Sequence, residues 1–143
     1  MAIPVYLWLK DDGGNDIKGS VDILNREGSI EVVAFIHEIF SPTDDLKGKI
    51  TGNRIHQPIL INKEIDSSTP YLYKALTTGK TLTSAEFKLY NISYAGQEVE
   101  YMNVLLKKVK VTAVIPMMHD IKTAYGEARN HLECIQLHYE EIC

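Results

Sequence analysis

The fold is decided by residues 85–114, which read AEFKLYNISYAGQEVEYMNVLLKKVKVTAV. Apolar and polar side chains alternate over residues 85–90, and alternation with a period of two returns from position 98 onward. That period is typical of a β-strand that buries one face. Residues 95–97 between the two runs have the composition of a turn. The stretch therefore predicts an antiparallel hairpin whose second strand continues to Val114.

Similar patterns on both sides of the hairpin predict further strands. Residues 5–10 alternate strictly, and residues 29–40 are rich in β-branched and aromatic side chains, which indicates one long strand. Residues 57–65 and 134–139 complete the set. About six strands in one chain predict a mainly β domain of two packed sheets, either a small β-barrel or a sandwich.

One segment predicts a helix. Residues 67–79 begin with hydroxyl side chains that can cap a helix, place Pro70 in the first turn, and end at Gly79, which suits a left-handed stop. The segment is short, so it can cover only one side or end of a β core. We expect an α-helix at about residues 69–78 that flanks the barrel.

Residues 41–56 break the strand pattern and offer few apolar anchors. They predict a long extended loop with no helix or strand of its own. Loops of this length inside a small domain are uncommon and usually serve a function or are disordered. The loop therefore calls for a functional explanation.

The composition describes an ordinary globular chain. It has 143 residues, enough for one domain over 1–143, with 45% hydrophobic and 24% charged residues. The net charge of −4 opposes binding to nucleic acid, which depends on clustered basic side chains. The one basic cluster, at residues 107–110, alternates with valine and is interpreted as the solvated face of a strand.

The ends of the chain bear on its location. Residues 1–10 have no basic leader, and their apolar run is too short to cross a membrane, which predicts cytoplasmic synthesis without a signal peptide and no membrane insertion. The two cysteines, Cys134 and Cys143, are interpreted as free thiols.

The search for chemistry predicts no catalytic, cofactor or metal site. The five histidines lack the spacing that places two ligands on one helix face, and no Cys-x-x-Cys is present. Residues 79–81 resemble the end of a phosphate loop, but Lys74 stands where that motif needs glycine. Residues 11–22 lack the glycine and glutamate of a calcium loop. An enzyme would need a pocket with convergent polar groups assembled from distant residues.

Three parts of the chain resemble the Hcp family, the tube-forming proteins of bacterial type VI secretion systems. The matching stretches are MAIPVYLWLK (1–10) with residues 17–19 and 28–32, KEIDSSTPYL (63–72) with residues 77–79, and SAEFK (84–88) with GQEVEY (96–101). Residues 118–122 and 131–133 add to the likeness, which covers essentially the whole chain and is greatest to the enterobacterial branch.

The resemblance implies a β-barrel with one flanking helix that assembles with itself into homo-hexameric rings around a wide channel. Such rings stack into a tube, which a contractile sheath expels together with a spike, and effectors can travel in the channel. Members of the family leave the cell without a cleaved leader and need no cofactor. The loop at about 41–56 is expected to project toward neighbouring subunits or the next ring.

These expectations name specific residues. The candidate assembly contacts in the loop are Leu46, Lys47, Lys49 and Arg54. Phe35 and Ile36, where relatives are expected to carry polar residues, are candidate channel-lining residues, with a core or subunit-interface position as the alternative.

The C-terminus supports an alternative hypothesis about function. Members of the family usually continue past the position of Cys143 with another strand-forming segment, so this chain resembles a shortened member in which one barrel edge is left unpaired. The alternative function is therefore an Hcp-like module that does not form rings and acts as a cargo-binding or regulatory protein. Oligomeric state separates the two.

Overall fold

Strands dominate the computed structural model, which describes residues 3–143; Met1 and Ala2 of the first matching stretch lie outside the described residues. The ten strands are β1 (Val5–Lys10), β2 (Asp16–Ile17), β3 (Ile30–Ile36), β4 (Ile39–Phe40), β5 (Ile55–His56), β6 (Ile59–Glu64), β7 (Leu82–Ile92), β8 (Glu98–Met117), β9 (Leu132–His138) and β10 (Glu141–Ile142). The two helices are α1 (Thr69–Thr78) and α2 (Ala124–Glu127).

Six of these strands form a closed antiparallel barrel. The order around it is β8, β7, β1, β3, β6 and β9, and β9 returns to β8. Closure depends on the 20 residues of β8, whose first part pairs with β7 and whose second part pairs with β9. Lys108 has a left-handed φ of 54° close to the change of partner. The predicted hairpin and the predicted barrel are both confirmed.

The core lies inside the barrel and consists of the apolar side chains on the inward-facing side of each strand. Leu7, Phe87 and Leu106 are at most 1% exposed, and they belong to three adjacent strands. Burying a side chain of this size contributes about 1.5–3 kcal/mol relative to leaving it in water. Alternation in the sequence is therefore the direct cause of the barrel.

Helix α1 flanks the barrel and packs against β8. Pro70 lies in its first turn, and Gly79 ends it with a φ of 67° while donating its N–H to the Leu76 carbonyl. Leu72 and Ala75 are buried on the side that faces the barrel. The flanking helix of the predicted fold is thus present, and α2 adds one short turn within the segment after β8.

Two predictions about the region after β3 were wrong. The single strand over 29–40 is two strands, because β3 pairs with β6 only as far as Ile36 and β4 pairs with β5. The loop over 41–56 is also not free of strand, since β5 and an isolated Thr43–Ile50 bridge lie within it. Composition predicts strand tendency but not which partner a strand chooses. We call residues 38–57 the ribbon.

The barrel edge that the sequence predicted to be unpaired is closed in the described residues 3–143 by the β8–β9 pairing. Strand β10 lies outside the ring of six and continues along β8, with Ile142 opposite Leu106. The N–H and carbonyl of Cys143 both bond to Leu105. The expectation of an open barrel edge was therefore wrong, because one long strand serves two neighbours.

Candidate assembly surfaces and the polar clusters behind them

The tip of the ribbon is an ordered turn. The Asp44 N–H donates to the Lys49 carbonyl at 2.6 Å, and the Gly48 N–H donates to the Asp44 carbonyl at 2.6 Å. The Asp44 carboxylate also accepts the N–H of Leu46 at 2.9 Å. Gly48 has a φ of 65°, which favours glycine at that place. The turn holds Leu46 at its apex, where 96% of the residue is exposed.

The four predicted loop contacts fall into two groups. Leu46, Lys47 and Lys49 lie together at the tip, and all three are exposed. Arg54 is also exposed but lies near the barrel end of the ribbon, where its Nε–H donates to Nε2 of His56 at 2.9 Å. The structure therefore separates Arg54 from the three tip residues.

The two candidate channel residues also separate. The Phe35 ring lies 5.2 Å from the Phe87 ring in an edge-to-face contact and packs against the core. This agrees with the core alternative for Phe35. Ile36 is 63% exposed on the barrel surface. A role in lining a channel stays a prediction for both residues.

Ile36 belongs to a groove of about 520 Å³ where the ribbon leaves the barrel. Its apolar lining is Ile36, Phe40, Pro58 and Leu60, and its polar lining is His37, Glu38, Gln57 and Gln136. Ile36, Phe40 and Leu60 are all more than a third exposed. Exposed apolar side chains grouped in this way commonly mark a protein–protein contact.

A buried ion cluster lies where β6 leads into α1. Lys63 and Glu133 face each other across β6 and β9, both fully buried, and their charged groups form an ion pair. The Lys63 ammonium also lies 3.0 Å from the Asp66 carboxylate. Thr69, the first residue of α1, donates its hydroxyl to Glu133 at 2.9 Å. The cluster ties the helix start to the barrel wall.

A second charged side chain is buried on the outer face of β1. The Arg26 guanidinium lies 4.1 Å from the centre of the Tyr90 ring and 4.8 Å from that of Tyr6. Its far end forms an ion pair with Glu98 at 2.6 Å. Arg26 is only 8% exposed, so the stem and the guanidinium both contribute packing. This clamp fixes the loop between β2 and β3 against the barrel.

The base of the ribbon holds a third cluster. Tyr139, which follows β9, has its hydroxyl oxygen 2.8 Å from Nε2 of His37 and 2.8 Å from Nδ1 of His56. The tyrosine ring meets both imidazoles edge-to-face at 5.6 Å. Burial raises the pKa of Tyr139, so its hydroxyl keeps its proton at neutral pH. Burial, followed by the neighbouring His56, lowers the pKa of His37.

Sequence reasoning missed all three clusters, although one of them left a signal. Lys63 has the same parity as the buried Ile59 and Ile61, and Glu133 has the same parity as Ile135 and Leu137. A charged side chain in the inward phase of a strand predicts a buried ion pair. No comparable pattern marks the third cluster, because Tyr139 lies 102 positions after His37 and 83 positions after His56.

The described part of the chain contains no group of possible metal ligands and no candidate membrane-spanning helix. No three histidine, cysteine or acidic side chains there group closely enough to hold an ion. Neither of the helices within residues 3–143 is long and apolar enough to cross a membrane.

Comparison with known proteins gives a consistent result. The family model described as "Type VI secretion system effector, Hcp" matches residues 6–143. The chain is 33% identical to the "Major exported protein" of Pseudomonas aeruginosa, over 99% of this chain and 88% of that protein.

Solved structures agree with the family match. A mutant form of Hcp1 from the E. coli EAEC 042 pathovar is 64% identical, with a TM-score of 0.88 over 99% of this chain and 89% of that one. The secreted protein Hcp3 from Pseudomonas aeruginosa is 25% identical, with a TM-score of 0.79 over 99% of this chain and 88% of that one. On these grounds, the chain belongs to the Hcp family of type VI secretion system proteins.

Proposed function

We propose that this protein is a structural subunit of a type VI secretion tube and not an enzyme. Subunits form homo-hexameric rings, the rings stack, and the tube is expelled with effectors in its channel. The observation that carries the proposal is the 64% identity to Hcp1 over 99% of the chain, joined to a TM-score of 0.88.

Ring closure needs a heterologous interface, in which two different surfaces of the same subunit meet. The groove beside Ile36 supports this, because Phe40 and Leu60 expose apolar area that a neighbour would remove from water. Each square ångström of apolar surface so covered contributes about 25 cal/mol. In this arrangement Ile36 belongs to the subunit interface or borders the channel, and Phe35 supports it from the core.

Stacking uses the ribbon. Its tip is held by backbone hydrogen bonds, so presenting Leu46 to the next ring requires little further ordering. Asp45 and Lys47 flank Leu46, and together with Lys49 they offer charges of both signs that a partner surface would complement. Arg54 acts further back, through its contact with His56 at the ribbon base.

Other partners follow from the family. The sheath, the spike and effector cargo are the proposed contacts of the assembled tube, and nucleic acid is not among them. The name "Major exported protein" of the Pseudomonas aeruginosa relative supports secretion through the type VI system.

Light scattering after size exclusion, in reducing buffer, tests the ring. We expect a mass near six times 16.2 kDa. A monomer or dimer would contradict the ring and favour the shortened cargo-binding or regulatory module, which keeps the family fold without assembling.

Stacking has its own test. Leu46→Asp places a charge at the tip and should abolish association between rings, seen as loss of tubes by electron microscopy at high protein concentration, while each ring stays intact. Arg54→Glu should weaken stacking less. Leu24→Asp is the matched control, since Leu24 is 78% exposed in a different loop. Unchanged tubes in Leu46→Asp, or equal loss in Leu24→Asp, would show that the ribbon tip does not mediate stacking.

A further inference from the structure

The ribbon joins the barrel through two chain segments, and Tyr139 lies between them. One segment leaves β3 through His37, and the other returns to β6 through His56. The hydroxyl of Tyr139 is 2.8 Å from an imidazole nitrogen on each segment. The two segments are also joined to each other by the pairing of β4 with β5 and by the Gln57 N–H, which donates to the Glu38 carbonyl at 3.0 Å. The tyrosine is therefore the point that connects the ribbon base to the end of β9.

Arginine determines the direction of the hydrogen bonds in this cluster. A guanidinium can only donate, so Nε2 of His56 must accept from Arg54. A neutral His56 then carries its proton on Nδ1 and donates to the Tyr139 oxygen. The Tyr139 hydroxyl is left to donate to Nε2 of His37, which accepts only while His37 is neutral. The whole chain of bonds requires two uncharged imidazoles.

The surroundings offer no compensation for a charged imidazole. Among the described residues 3–143, none of the ion pairs found within 4.0 Å includes a histidine. Arg54 is the charged group that faces His56 from its own segment. Glu38 and His138 are the exposed neighbours in sequence on the other two segments, and Glu140 is engaged with Lys108 at 3.7 Å.

We propose that Arg54, His56, Tyr139 and His37 form a proton-sensitive latch that holds the ribbon in one orientation on the barrel and releases it when the imidazoles become charged. Protonation of Nε2 on His56 sets a donor against the Arg54 donor and places two cations side by side. Protonation of His37 removes the acceptor of the Tyr139 hydroxyl. Either event breaks one link of the chain that joins the ribbon to β9.

The latch belongs to the single chain and does not depend on ring formation. Burial, followed by the neighbouring His56, lowers the pKa of His37 below the ordinary histidine value of about 6.5. We therefore expect the ribbon to be held at neutral pH and freed in mildly acidic solution.

Hydrogen–deuterium exchange measured by mass spectrometry tests the latch in the full chain, whatever its oligomeric state. Backbone exchange reports on ribbon residues 38–57, and slow exchange of the imidazole C2 hydrogen reports the pKa of each histidine. In the wild type we expect ribbon protection, corrected for intrinsic rates, to fall about fivefold between about pH 7.5 and 5.5, the factor that corresponds to losing one hydrogen bond. Peptides from β7 should not change.

Variants decide between the latch and a general acid effect. Tyr139→Phe should show the lower ribbon protection at both pH values, with a changed His37 midpoint. Tyr94→Phe, at a fully exposed tyrosine, should behave as the wild type. Arg54→Met, a surface change that leaves the core intact, removes the donor to Nε2 of His56 and should also lower ribbon protection at about pH 7.5, which keeps the test available if Tyr139→Phe folds poorly. Ribbon protection that is independent of pH in the wild type, or equal in wild type and Tyr139→Phe, would overturn the proposal.

Discussion

The two ends of β9 hold polar clusters of the same kind in opposite environments. Near the start of β9, Glu133 joins Lys63 in a cluster sealed from solvent. Just after its end, Tyr139 joins His37 and His56 in a cluster that is partly open to solvent. Both connect β9 to a segment distant in sequence. Only the first is buried in the protein interior, where an unpaired charge would lower the stability of the fold by several kcal/mol.

The sealed cluster therefore contributes to the stability of the domain, whereas the open cluster positions the ribbon, which is the segment proposed to contact partners. The sealed cluster fixes the start of α1 against the barrel, and breaking it threatens the whole domain. The open cluster joins the ribbon base to the end of β9, and of its three residues Tyr139 packs against the edge of the core. Substitutions at the two ends of β9 should therefore affect stability by very different amounts.

The largest effect is expected from Glu133→Ala. Removing the carboxylate leaves the buried Lys63 ammonium with Asp66 and the Glu64 carbonyl as its remaining partners, which should lower the free energy of unfolding by about 3–5 kcal/mol. Denaturant unfolding at a fixed protein concentration measures it. The matched control is Glu141→Ala, which removes an exposed cross-strand pair with Lys107 and should cost less than about 1 kcal/mol.

A double variant sharpens the same test. Lys63→Met together with Glu133→Leu replaces the pair by apolar groups of similar volume, and most of the lost stability should return. If Glu133→Ala and Glu141→Ala cost the same, the sealed cluster has no special role and the comparison between the two ends of β9 fails.

An intermediate effect is expected from Arg26→Ala. The variant loses stacking on Tyr6 and Tyr90 and the ion pair with Glu98, which together should cost about 2 kcal/mol. Arg129→Ala is the control, because Arg129 stacks on Tyr125 at 4.3 Å but is exposed, and it should cost about 0.5 kcal/mol. Thermal unfolding compares them, and equal losses would mean that burial does not strengthen the contact.

The smallest effect is expected from titrating the open cluster. The pKa of His37 is lowered in the folded protein, so the unfolded chain binds more protons as the pH falls below about 6.5. The contribution of His37 to stability is thus fully present above that pH and is lost as the pH falls through the folded pKa. Unfolding of the wild type should show this slope, and His37→Gln should lack part of it.

Exposed His138 supplies the control for the titration. His138→Gln should keep the slope of the wild type in the same pH range. A wild-type protein that gains stability on acidification, or a His37→Gln variant with an unchanged slope, would contradict the assigned direction.

The barrel could be predicted from sequence because its cause is local. Apolar residues every second position on β1 and β7 bury one face wherever the strands pair, so Leu7 and Phe87 reach the core in any correct register. Pro70 and Gly79 marked the two ends of α1, because helix start and stop signals are also local. The proposed assembly rests on the family resemblance, since no single periodicity in the chain expresses it.

The ribbon was harder to predict because strand tendency does not decide which neighbouring strand a residue pairs with. Residues 36 and 39 have equal strand tendency, yet Ile36 pairs with β6 and Ile39 pairs with His56 across the ribbon. The break at His37 and Glu38 carries no proline or glycine, so nothing local marks it. The wrong prediction of one long strand follows directly from that absence.

The sequence by itself therefore determined the class of fold, the helix, the exposed loop and the family, since these depend on periodicity, turn residues and matched motifs. The tertiary structure alone decided which polar residues meet. Lys63 finds Glu133 through the register of β6 on β9, and Tyr139 finds His37 across 102 positions. The physical reason is that hydrogen bonds and ion pairs depend on distances of a few ångströms, which only the closed barrel establishes.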